Sequence, residues 1–150
     1  SVASGKRDAW LESPAGRVAW IIVLDQFSRN MFRGTAKMFA YDDKAYQAAS
    51  EGVARGIDRE LPHDQRLFLY MPYMHREELA AQDRAIELFT AWRDEVEGAA
   101  RQRVQNALNF SELHRNIVRR FGHFPHRHAV LGRTATAEEI EFLNQANSSF

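Results

Sequence analysis

The chain has no cysteine. This removes disulfide staples, thiolate metal ligands and a cysteine nucleophile together. It also fits a reducing cytoplasm, where the protein is expected to reside. An excess of one charge sign is missing too: 20 Lys and Arg balance 20 Asp and Glu. No global field therefore draws the chain toward nucleic acid or anionic lipid. The longest uninterrupted apolar run, Val18 to Leu24, falls well short of a bilayer span, so no membrane partner is expected. Walker loops, dinucleotide fingerprints, His-Glu-x-x-His and Gly-x-Ser-x-Gly are all absent. Nucleotide-driven chemistry and common hydrolase elbows lose their sequence support.

The residues that are present read almost throughout at helical period, with no convincing strand alternation. The 150 residues show no shift of composition that marks a linker. One all-α domain over 1–150 is expected. Ser13 caps a first helix with Pro14 at its first position, and that helix runs to about Phe32. Asp42 or Asp43 opens a second, with a small-residue face of Ala45, Ala48, Ala49 and Gly52 and a left-handed exit at Gly56. A short helix from about Pro62 ends at Met71, before Pro72. Longer helices come next, over about Arg76–Gly98 and Ala99–Phe121. Thr136 and Glu139 form a capping box that starts the last helix. Short links imply stacked antiparallel helix hairpins, although no tetratricopeptide-length repeat is visible.

Polar groups interrupt apolar faces in three places. After the apolar stretch of the first helix comes "DQFSRN", where Asp25 and Arg29 prolong the stripe of Val18 and Ile22. Gln26, Asn30 and Arg33 prolong that of Ala19 and Val23. These positions point to a polar cluster lining a cleft or partly buried, with Asp25–Arg29 as an i,i+4 pair. The alternative is a helix emerging into solvent after Leu24. In the second place, His75, Glu78 and Gln82 share a helix face at i, i+3 and i+7, and His114 lies on the apolar face of the fifth helix. A metal site from His75, Glu78, His114 and Asp25 lacks the repeated motif that helical bundles use. No metal and no cofactor is expected.

The third place is "FGHFPHRH", residues 121–128, inside a block without any acid between Glu112 and Glu138. Phe121–Gly122 reads as a capped helix end, and Pro125 prevents resumption. Phe124 should be extended and its ring buried. A proline-broken turn gives no warrant for converging histidines. There remains Arg127, flanked by His126 and His128, a guanidinium fork suited to a carboxylate or phosphate. The competing reading pairs Arg127 with Asp25 or Glu78 of the same chain.

The segments "LDQFSRNMFRGTAKMFAYD", "LFLYMPYMHREELAAQ" and "FGHFPHRHAVLGRTATAEEIEFL" together resemble the bacterial family called domain of unknown function 924. The resemblance implies a tetratricopeptide-like all-α fold and no established activity. The family's signature polar positions fall here on Asp25, Gln26, Arg29, Asn30, Arg33, His75, Glu78, His114, His126 and Arg127. The chain departs from the family pattern in lacking the opening Phe-Trp-Phe segment, so an N-terminal helix is expected to be missing. It also carries Arg76 for the usual serine, His123 for arginine and His128 for asparagine.

Three functions stand as expectations. The first is a module binding an anionic small molecule or a peptide terminus. Arg127, Arg29 and Arg33 would hold the anion, with Gln26, Asn30, Gln82, Asp25 and His126 around it. The second is an acid–base or hydrolytic enzyme using Glu78 as base and His75 or His114 as acid; the sequence leaves open whether the protein is an enzyme at all. The third is a helical scaffold gripping a protein partner. Nucleic acid is not expected as a partner.

Overall fold

The computed structural model describes residues 2–150, and every regular element among them is helical. In chain order these are α1 Pro14–Ile22, α2 Ser28–Met31, α3 Asp42–Ala54, α4 His63–His75, α5 Leu79–Glu95, α6 Gly98–Phe121, α7 His128–Leu131 and α8 Ala137–Leu143. A π-helical turn, Val23–Phe27, joins α1 to α2. No helix among the described residues is long and apolar enough to cross a membrane. The chain divides into two compact units, one ending at His75 and the other running from Arg76 to Phe150.

In the first unit α1, α3 and α4 pack against one another. Ser13 accepts the Gly16 amide at 3.2 Å, so α1 starts where its cap predicts. Val18, Trp20, Ile21 and Leu24 bury the apolar stretch, against Ala45, Ala48 and Ala49 of α3 and Leu69, Tyr70, Tyr73 and Met74 of α4. Arg17 is buried with them. Its guanidinium donates to Ala48 O at 2.8 Å and Leu11 O at 2.9 Å, tying α1 to α3 and to the lead-in segment.

Two expected boundaries are corrected. The helix opened near Pro62 does not stop at Met71 but continues through Pro72 to His75. Proline lacks an amide and disfavours a helix interior by about 3 kcal/mol. Burying Tyr73 and Met74 contributes about 1.5–3 kcal/mol each, which outweighs that loss. The next helix begins at Leu79 instead of Arg76, with Glu78 extended at its N-cap. His75 and Glu78 therefore lie on different elements and share no helix face.

In the second unit α5 and α6 form a hairpin. It buries Ala81, Ala85, Leu88, Phe89 and Trp92 on one side, and Val104, Leu108, Ile117 and Val118 on the other. Gly122 exits α6 at φ 77°, as its sequence position predicts. Phe124 is fully buried beside Ile117 and Val118. Phe142 of α8 meets Phe121 at 5.1 Å between ring centroids, and α8 is opened by the full Thr136/Glu139 capping box.

Gly52 is required by close approach. A Cβ there would lie 2.9 Å from Arg17 Cδ and 3.2 Å from Leu69 Cδ1. Arg17 cannot easily retreat, because both of its terminal nitrogens are bonded to carbonyls. Alanine favours a helix interior over glycine by about 1 kcal/mol, whereas overpacking costs about 1–3 kcal/mol. Gly52→Ala should therefore lower stability by roughly 1 kcal/mol in urea unfolding. A raised midpoint would show that the Arg17 stem yields.

Candidate functional site

The π turn decides the polar cluster of the first unit. One extra residue in the turn rotates the residues beyond it by roughly 100° relative to a regular helix. Asp25, within the turn, keeps the inward position its stripe predicts, while Asn30 and Arg33, beyond the turn and also expected on the inward face, emerge into solvent. There Arg33 donates to Asn30 Oδ1 at 3.2 Å. Carbonyls loosened by the wide turn gain side-chain donors: Ser28 Oγ lies 3.5 Å from Val23 O, and Arg29 donates to Asp25 O at 3.3 Å.

Three groups from three elements meet the Asp25 carboxylate. His75 Nδ1, at the end of α4, lies 2.7 Å from Oδ1. Arg29 donates to the same oxygen at 2.6 Å, and Gln26 donates to Oδ2 at 2.5 Å. Arg29 also forms a two-pronged pair with Asp42 at the start of α3, at 2.8 and 2.9 Å. Burial pushes the Asp25 carboxyl upward. The charge and hydrogen bond of His75, then Arg29 and Gln26, outweigh it and hold the group at about 2. An ionised carboxylate only accepts hydrogen bonds, so the proton between Asp25 and His75 belongs to Nδ1. In the neutral ring Nε2 is then the basic nitrogen.

The second unit holds the other predicted residues. Arg127 is buried, its guanidinium 4.7 Å over the Phe124 ring. Its charge acts on Glu77. Glu77 accepts the Phe124 amide at 2.8 Å and both terminal nitrogens of Arg133 at 2.8 Å. Burial raises the Glu77 carboxyl, but Arg133, the Phe124 amide and the Arg127 charge bring it below its usual value. Glu78 is 57% exposed at its side chain and pairs with Arg76. Gln82 is fully buried and donates to Arg76 O at 2.7 Å. His114 lies among Phe110, Phe124 and Phe150, its Nδ1 2.8 Å from Phe110 O, as expected of a hydrogen-bonded core histidine. The His126 ring centroid is 5.6 Å from that of Phe124.

Periodicity missed Glu77, Arg133, His123, His128 and Glu139 as site residues. Glu77 lies in the extended break between α4 and α5, where no helical stripe exists to flag it. Its signal was only the acid-free block on the other side of the pair. The turn after α6 also does what a proline-broken turn gave no reason to expect. It brings His123 and His128 to one carboxylate, Glu139.

Asp25 sets a pH dependence. Its carboxyl lies near 2 when folded and near 3.8 otherwise. The unfolded chain thus binds the proton more readily, and the stabilisation is complete above about pH 4 and lost as pH falls toward about 2. The displacement corresponds to about 2 kcal/mol. Asp25→Asn should remove that much stability at neutral pH, and the gap from the native protein should close as the medium is acidified through this window. Denaturant melts at stepped pH test this; a gap independent of pH contradicts it.

The chain is matched over residues 1–147 by the family model described as bacterial protein of unknown function, DUF924. A search of curated proteins finds no match. A solved structure of a protein of unknown function, ATU0120 from Agrobacterium tumefaciens, is similar at 42% identity and a TM-score of 0.82. That match covers 95% of this chain and 74% of the other. The chain belongs to the DUF924 family of bacterial proteins of unknown function.

Proposed function

We propose that the first unit carries an acid–base site centred on His75, oriented by Asp25, which acts on a small polar substrate. The observation that carries this reading is the 2.7 Å contact of His75 Nδ1 with a buried carboxylate held at about 2. A carboxylate behind one ring nitrogen fixes the tautomer, aims the other nitrogen and stabilises the imidazolium that forms on proton uptake. Arg29 is committed to Asp25 and Asp42, so in this reading it holds the carboxylate in place and does not bind a ligand anion. Asp25, expected from sequence around a bound anion, takes the supporting position in this reading, and His75 serves as base instead of Glu78.

Chromogenic carboxylic and phosphoric esters, amides and anilides form the test panel, read together with the nitrogen-15 signals of His75. Turnover should fall by about 10²- to 10⁴-fold in His75→Ala and by a comparable factor in Asp25→Asn. The ring should carry its proton on Nδ1. A His75 ring protonated on Nε2 when neutral, or turnover indifferent to both substitutions, sinks the reading.

A further inference from the structure

We infer that His123, His128 and Glu139 form a binding site for one divalent transition-metal ion, with zinc the best fit. Three observations carry it. The two imidazole nitrogens and a Glu139 oxygen all lie within 4.8 Å of one another. Both Nε2 atoms address the same carboxylate, His123 at Oε1 and His128 at Oε2. His128 Nε2 is buried and 3.2 Å from Oε2, yet it makes no hydrogen bond there. A donor that close which is not aimed at its acceptor is unusual. Two ligands of one tetrahedral ion with bonds of about 2.0–2.2 Å stand roughly 3.3 Å apart, their lone pairs converging on the ion and not on each other. The His128–Glu139 spacing matches that edge.

The surroundings fit a ligand set. Glu139 Oε2 accepts the Thr136 amide at 2.7 Å through the capping box, which fixes the carboxylate and leaves that oxygen's second lone pair for the ion. His128 and Glu139 are 4% and 3% exposed, whereas the His123 side chain is 34% exposed and gives an entry path. Two imidazoles and a carboxylate suit zinc and leave a fourth position for water. One contact opposes binding. Arg133 Nε donates to His128 Nδ1 at 3.0 Å, so in the metal-free protein the ring's proton sits on Nε2. When Nε2 takes a metal, that proton must be at Nδ1, and Arg133 Nε must turn aside while its two terminal nitrogens keep Glu77. Arg133 thus sets the affinity.

The full chain, stripped with a chelator, is titrated with Zn²⁺ against a chromophoric competitor and with Co²⁺ for its visible spectrum. One equivalent should bind with a tetrahedral cobalt spectrum, and Zn²⁺ should raise Tm. His123→Arg, His128→Asn and Glu139→Gln, the last of which keeps a capping residue at N3, should each weaken Zn²⁺ at least about tenfold. Arg133→Lys, which keeps the charge beside Glu77 but removes the donor to His128, should tighten it. His126→Ala, a neighbour outside the cluster, should leave affinity unchanged. Affinity equal in the native protein and the three ligand variants, or lost equally in His126→Ala, overturns the inference.

Discussion

A buried carboxylate must either find partners for its charge or take up a proton, and Asp25 keeps its charge. Burial alone would neutralise it. His75, Arg29 and Gln26 surround it closely enough to reverse the sign of that effect. The arrangement draws together the π turn, the start of α3 through Asp42 and the end of α4 through His75. The cluster is therefore a bolt between the helices of the first unit.

The π turn and Pro72 are two departures from regular helix, and both serve this cluster. The first contains Asp25 and frees carbonyls that Ser28 and Arg29 engage. The second is tolerated because α4 must reach His75 with Tyr73 and Met74 buried on the way. Local rules disfavour each feature when taken alone. Wide helical turns recur at functional sites because a tertiary interaction has to compensate for them.

The second unit uses its acid-free block differently. Its Arg133, His123 and His128 are gathered around two carboxylates, Glu77 and Glu139, that lie far along the chain from them or close the block on its C-terminal side. Each carboxylate also accepts a backbone amide, from Phe124 or from Thr136. Those amides fix where the acids point, and the acids in turn fix the turn after α6. A stretch that reads as decoration on a helix stop is thereby organised from both sides.

Caps and small-residue faces were legible in the sequence because they are local. Ser13, Gly56, Gly122 and the Thr136/Glu139 box act within a few residues of their own helix ends. The Ala45–Gly52 face and the burial of Phe124 arise from periodicity and from one proline. The marking of Asp25, Arg29 and His75 as polar intruders on apolar surfaces was also available. Their partners were not. Whether a helix adds a residue in one turn, whether a proline is carried through, and which acid meets which arginine all depend on contacts between segments dozens of residues apart. Those contacts are decided by the competition between burial and hydrogen bonding in the packed protein, which no local pattern encodes.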